Sequence, residues 1–348
     1  MKTHAAVLTA INKPLRIEEL EIPELRAGQV LVRIAFSGVC HTQINEIRGL
    51  KGEDRFLPHT LGHEGSGIVE AIGDGVRKVK PGDHVVLTWI KGDGLDVPSS
   101  KYARVDGSIV NSGAVATFLT KAVISENRLV KIPDEMPLCE AALLGCAIPT
   151  GAGAVINTAS VSRGKSIAIF GMGGIGFSAL LAAKIKGAST IIAIDISEDR
   201  LKQANLLGAT HTLNTKKENV VEGIFKITGG KGVDYAIESA GKKETMEMAF
   251  KSVRDKEGLC VVVGNLSYGQ TIQIDPFDLI KGKRIIGTWG GETFPDRDMP
   301  MYADWVISGK IDMKKMICRV YELRDINNAI DYMEQHAVGR VLIGMGKH

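Results

Sequence analysis

Short apolar runs broken by turns dominate the first third of the chain. Residues 30–36 read as an alternating strand, and residues 62–72 carry a second one between glycines. The Pro81-Gly82-Asp83 turn feeds a third at 84–88. From 89 to 114 the pattern lapses into Gly, Asp, Ser and Pro, which predicts a long surface loop. The texture changes near Cys146. A helix is expected from 149 to 159, then a strand at 166–170, a helix at 176–186, a strand at 190–195 and a helix at 198–207. Apolar β-type runs recur at 234–238, 259–264 and 284–288, separated by helical stretches. Strands and helices alternating at these lengths predict a parallel sheet covered on both faces.

After Gly290-Gly291 the pattern predicts a helix around 302–308 and a strand-helix-strand tail ending at 340–344. That tail is too short for a domain of its own, so it is expected to rejoin the first. The expected organisation is a β-rich domain at 1–147, a doubly wound α/β domain at 148–288, and a return to the first domain at 289–348.

The bulk numbers fit this picture. With 348 residues there is chain enough for two cores, and 44% hydrophobic with 24% charged residues is ordinary for a globular protein. The 43 Lys and Arg nearly balance the 40 Asp and Glu, with no basic block to track a phosphate backbone, so nucleic acid is not an expected partner. No long apolar run precedes the Asn12-Lys13-Pro14 turn, and no later one approaches the ~20 residues of a membrane span, so no membrane partner and a cytoplasmic location are expected. The five cysteines form an odd set with no Cys-x-x-Cys pair, which fits a reducing compartment better than a disulfide scaffold.

Two constellations carry chemistry. The strand at 166–170 runs into Gly171-Met172-Gly173-Gly174-Ile175-Gly176 and straight into an apolar helix. A lone G-x-G-x-x-G is weak, but strand before, helix after and an acidic end to the next strand give it meaning as a dinucleotide site. Gly171 permits the tight turn, Gly173 the approach of a pyrophosphate, and Gly176 close helix–strand packing. Asp195 ends the second strand, where a carboxylate accepts from adenosine ribose hydroxyls and repels a 2′-phosphate, favouring NAD over NADP. Arg200, a helical turn later, either touches the same ribose or is plain surface. The second constellation is Cys40 in Gly38-Val39-Cys40-His41-Thr42, His63-Glu64 in Gly62-His63-Glu64-Gly65, and Cys146 after Leu144-Gly145. None of these is a local zinc spacing, and each residue alone would more often be buried filler. They form a site only if the fold gathers them, and three ligands with an open fourth position would make it catalytic.

The motifs GVCHT (38–42), GHEGSG (62–67), GDHV (82–85), GCAIPTGAGA (145–154) and GMGGIG (171–176) carry a family resemblance. Over essentially its whole length the chain resembles the zinc-containing medium-chain dehydrogenases, and Cys146 in place of a Glu points to their alcohol dehydrogenase branch rather than to the polyol dehydrogenases. The resemblance implies a GroES-like catalytic domain and a Rossmann domain. It implies zinc on Cys40, His63 and Cys146 with Glu64 as the adjacent carboxylate, and Thr42 as the hydroxyl taking the substrate proton. His41 and Arg340 would lie beside the cofactor pyrophosphate, with Thr150 lining the nicotinamide pocket. Zinc would activate an alcohol oxygen and NAD would take the hydride, in a cleft between the domains, giving an aldehyde or ketone reversibly.

Three departures qualify the resemblance. Residues 89–116 contain no cysteine, so the lobe that holds a structural zinc in many relatives is absent and one zinc per chain is expected. Gln43 stands where the family often has an Asp behind the zinc-bound histidine; a neutral amide can accept the same hydrogen bond but makes the imidazole less electron-rich. Asn45 stands where some relatives carry a relay histidine, and Asn cannot shuttle a proton. Trp89 falls where relatives place a substrate-pocket aromatic, or it packs the base of the loop. Competing readings are a polyol, amino-alcohol or sugar dehydrogenase with the same zinc, a zinc-free quinone or enone reductase, and a NAD-binding module without turnover. The family further implies a homodimer or homotetramer through the edge strand near 285–288.

Overall fold

The computed structural model describes residues 1–267, 269–335 and 338–346. The chain forms two units, one of Met1–Cys146 with the chain from Phe294 onward, the other Ala147–Thr293.

In the first unit a seven-stranded sheet runs in the order Leu129–Lys131, His84–Thr88, Glu64–Ile72, Gln29–Val39, Arg340–Gly344, Ile317–Glu322, with Lys121–Ser125 also paired to Gln29–Val39. The two C-terminal strands thus complete a sheet begun by the N-terminal segment: Arg340–Gly344 lies antiparallel to Gln29–Val39, with Val341 opposite Val39. Beside it Lys2–Leu8, Arg16–Glu21, Lys101–Ala103, Ile109–Ser112 and His59–Thr60 close a small barrel. The stretch 89–114 is therefore not one loop. Its two barrel strands bury Tyr102 and Val110, but at three and four residues they are too short for a period of two to show in the sequence.

The second unit is a six-stranded parallel sheet ordered His211–Asn214, Thr190–Asp195, Ser166–Phe170, Tyr235–Glu238, Leu259–Val262, Arg284–Gly287. Its first strand in the chain lies inside the sheet, so the order reverses there, and the loop after Ser166–Phe170 opens at that switch point. Ile167 to Phe170 and Ile191 to Ile194 are fully or almost fully buried, the reason these strands read as unbroken apolar runs. Helix Glu198–Leu207 is capped by Ser197, whose hydroxyl accepts from Arg200 N, and ends at Gly208 with φ +116°.

The unit extends to Thr293 rather than to 288. Thr293 Oγ1 donates to Pro149 O at 2.9 Å, and Gly291, at φ +71°, packs against the carbonyls of Pro149 and Thr150, which ties 289–293 to helix Ala147–Gly153. The following helix starts at Pro295, not near 302, and runs to Ile307; its prolines at 295 and 300 interrupt the apolar pattern there. Among the described residues no single helix is long and apolar enough to cross a membrane.

Candidate metal and cofactor sites

Cys40 sits at the junction of strand Gln29–Val39 and helix His41–Ile47, with extended backbone, so its side chain is delivered at a fixed strand end. His63 enters from Gly62, whose φ of +94° and contact with Thr117 N (2.8 Å from a Cβ there) admit only glycine. Cys146 lies at the break between the turn Ala142–Gly145 and helix Ala147–Gly153, with φ −151° and ψ −63°. Two more glycines let these segments close on one another. A side chain on Gly38 would collide with the Glu64 carboxylate, and a Cβ on Gly145 would lie 2.8 Å from Glu64 Cα.

The result gathers three residues scattered in sequence. Their ligand atoms all lie within 4.8 Å of one another. Gln43, buried on the inner face of helix His41–Ile47, hydrogen-bonds Nδ1 of His63, while His63 Nε2 is buried with the cysteine sulfurs beside it and no nitrogen or oxygen partner among the described residues. The amide lies with Nε2 at the ring; a ring that coordinates through Nε2 carries its proton on Nδ1, and a flip of the amide then presents Oε1 as acceptor. The cysteines divide electrostatically. Burial pushes the Cys139 and Cys260 thiols up. Cys40 is held well below the usual thiol range, chiefly by a hydrogen bond with Cys146 and against burial, with His63 and the Arg340 charge adding to it. A thiolate is the ligating form. Two sulfurs and an imidazole nitrogen within this span fit zinc, and three protein donors leave a coordination position open.

Glu64 and Arg340 form a buried ion pair behind the trio, with side chains 0% and 4% exposed. Arg340, expected at the cofactor phosphates, is paired here with Glu64; of its donors Nε has no partner among the described residues. Sequence reasoning gave the two residues separate roles. Thr42 is half-buried and His41 exposed in the first turn of helix His41–Ile47. Trp89 follows Thr88, whose hydroxyl donates to Gly145 O at 2.8 Å, one residue before Cys146. Glu46, Asp54 and His59 form a second gathering within 4.8 Å. There His59 Nδ1 faces Thr60 O at 3.1 Å and Nε2 faces Asp54 Oδ2 at 2.8 Å, so both ring nitrogens already meet oxygen atoms of the protein.

In the second unit the glycine loop has the geometry of an anion cradle. Gly171 has φ +92° and backs onto Ala240, with N at 2.9 Å from a Cβ; Gly176 packs against Gly171 O. Gly173 faces open space, and Gly174 and Ile175 begin helix Gly174–Ile185, whose N–H groups point at that opening. Asp195 accepts from Met172 N at 2.7 Å and Ser197 N at 2.9 Å, tying strand end to loop, and Arg200 lies 3.7 Å from its Oδ2. Thr150 is buried, and its hydroxyl has no partner among the described residues. Glu238, missed in the sequence, is fully buried: its Oε1 accepts from Ala240 N, Gly241 N and Thr245 Oγ1, which braces the wall behind Gly171. Burial pushes this carboxyl up. Its only sequence signal is a Glu ending an apolar strand.

Residues 26–134 match the alcohol dehydrogenase GroES-like domain, and residues 174–308 the zinc-binding dehydrogenase domain. The chain is 33% identical to the S-(hydroxymethyl)glutathione dehydrogenase of Paracoccus denitrificans, over 96% of this chain and 97% of that protein. It belongs to the zinc-dependent alcohol dehydrogenases. Another member of this family, alcohol dehydrogenase 1 of Pisum sativum, is 32% identical over 99% of this chain and 97% of its own. Among solved structures, benzyl alcohol dehydrogenase of Acinetobacter calcoaceticus superposes with a TM-score of 0.91 at 33% identity, covering 99% of this chain and all of that one. As a zinc-dependent alcohol dehydrogenase the protein is an oxidoreductase acting on CH–OH donors, with the GroES-like and Rossmann folds in the two units described.

Proposed function

We propose that the chain oxidises an alcohol to an aldehyde or ketone, reversibly, with NAD as acceptor and one zinc held by Cys40, His63 and Cys146. The observation that carries this reading is the gathered trio, with His63 Nε2 buried beside the two sulfurs and the ring held at Nδ1 by Gln43. When bound, zinc supplies a Lewis acid for the alcohol oxygen and the nicotinamide an acceptor for hydride. The protein's own groups do the rest. Thr42 Oγ1, next but one to Cys40, takes the proton the alcohol loses. Gln43 holds the His63 ring, and the Glu64–Arg340 pair keeps a carboxylate beside the site without leaving its charge uncompensated. Asp195 recognises the ribose hydroxyls and disfavours a 2′-phosphate, while the open face at Gly173 receives the pyrophosphate. Thr150 offers its buried hydroxyl to the nicotinamide end.

Trp89 forms one wall of the alcohol pocket, which suits flat or unbranched substrates; the likeness to a benzyl alcohol dehydrogenase supports aromatic alcohols among them. Two chains pair through the edge strand Arg284–Gly287, where Ile286, Ile280 and Trp289 are exposed. The reading is tested by following NAD reduction with benzyl alcohol, ethanol and a polyol. Turnover of the first two with NAD, and little with NADP, supports it; turnover confined to the polyol, or a preference for NADP, contradicts it.

A further inference from the structure

Ser125, Glu126, Asn127 and Arg128 are four consecutive polar residues, and all four are buried, at 7%, 2%, 4% and 9% exposure. Burying such a run is costly unless each group is matched. Most of their groups, though not Asn127 Oδ1 or Arg128 Nε among the described residues, match backbone groups of the segment after strand His84–Thr88 and of residues 77–78 before it. Glu126 Oε2 accepts from Leu95 N at 2.8 Å, and its Oε1 accepts from Arg77 N and Lys78 N at 2.6 and 2.8 Å. Ser125 Oγ donates to Leu95 O and accepts from Val97 N, each at 2.8 Å. Asn127 O accepts from Gly92 N at 2.8 Å, and Arg128 Nη1 donates to Trp89 O. Gly94, at φ +104°, leaves the space the Glu126 side chain fills. Residues 93–96 are exposed; beyond the turn, Asp93 is tied by its N to Asp296 Oδ2 at 2.7 Å and by its O to Lys78 Nζ at 3.1 Å.

The segment begins at the metal site. Thr88 Oγ1 bonds Gly145 O beside Cys146 and accepts from Ile90 N at 3.1 Å, so the residues on either side of Trp89 are tied to that turn while Arg128 holds its carbonyl. Burial lowers the Arg128 guanidinium from its ordinary range, with Asp96 opposing, which marks a charge kept inside for its donors.

We propose that the turn Ser125–Arg128 is a positioning element for the alcohol site, and that Arg128, by fixing the backbone at Trp89, sets which alcohols the enzyme accepts. The inference rests on the reading that Trp89 lines the pocket. A planar guanidinium bound to one carbonyl locks a peptide orientation that an ammonium, a point charge on a flexible stem, does not. Trp89 then swings relative to the metal ligands, and bulky alcohols feel it more than small ones.

The test uses the full-length zinc-loaded enzyme and measures kcat and KM for benzyl alcohol and for ethanol in Arg128→Lys, Arg128→Met and Trp89→Leu. Arg128→Lys carries the comparison where Arg128→Met fails to fold. The expected result is a change of about tenfold in the ratio of the two kcat/KM values in the Arg128 variants, expressed mainly in KM, with zinc content unchanged and Trp89→Leu shifting the same ratio. If Trp89→Leu shifts the ratio but the Arg128 variants only lower Tm, Arg128 is structural and the inference falls alone. If Trp89→Leu leaves the ratio unchanged, the pocket reading fails and takes the inference with it.

Discussion

Gln43 hydrogen-bonds Nδ1 of His63 and so decides which ring nitrogen faces the two cysteine sulfurs. A side-chain amide in that place orients the ring without adding negative charge. Removing it with Gln43→Ala is expected to weaken zinc binding by about 10–100-fold. Gln43→Glu, of the same shape but anionic, is expected to tighten it. Competition with a chromogenic chelator reads both. Equal affinity in all three proteins would show that the amide does not act on the metal.

Glu64 and Arg340 are distant in sequence and share a buried charge pair. Arg340→Ala strands the carboxylate and is expected to cost about 3–5 kcal/mol, while Glu64→Leu combined with Arg340→Met recovers most of that loss. A double-mutant cycle in denaturant checks it. Additive losses would mean the two groups are not coupled.

Glu126 gives stability a pH dependence. Burial alone would raise its carboxyl, but the N–H groups of Leu95, Arg77 and Lys78 and the charge of Lys78 bring it below the ordinary 4.5. The unfolded chain therefore takes up the proton first as pH falls. Glu126's contribution is complete above the unfolded value and is lost as pH drops through the lower folded one. Tm measured from pH 7 down to pH 3 is expected to fall less steeply below 4.5 in Glu126→Gln than in the wild type. Parallel curves would remove Glu126 from the account.

Asp195 joins the glycine loop to its strand through Met172 N and Ser197 N. Asp195→Asn keeps an acceptor but loses the charge that repels a 2′-phosphate. The expected outcome is about a tenfold rise in the KM for NAD with a smaller change in kcat, and measurable use of NADP. An unchanged preference between the two cofactors would place the selection elsewhere, with Arg200 the nearest alternative.

The second unit is the more legible of the two in sequence. Parallel strands buried on both faces must be apolar throughout, so Ser166–Phe170 and Thr190–Asp195 stand out with their ends, and the glycine loop follows from its position after the first. In the first unit the strands at Lys101–Ala103 and Ile109–Ser112 are defined by their barrel partners, which no local pattern reveals. The ligand trio is similar: Cys40, His63 and Cys146 become a site only when Gly38, Gly62 and Gly145 let three segments approach one another. The Glu64–Arg340 pair joins residues distant in sequence, and the polar run Ser125–Arg128 carries no local signal of burial. Its burial follows from a segment whose backbone groups need partners.

The most direct test is the zinc content of the purified chain beside that of Cys146→Ala, each assayed for NAD reduction by an alcohol. About one zinc per chain is predicted, lost together with activity in the variant. A wild-type chain without zinc, with turnover unharmed by the substitution, would contradict the assignment of Cys40, His63 and Cys146 as the catalytic metal site.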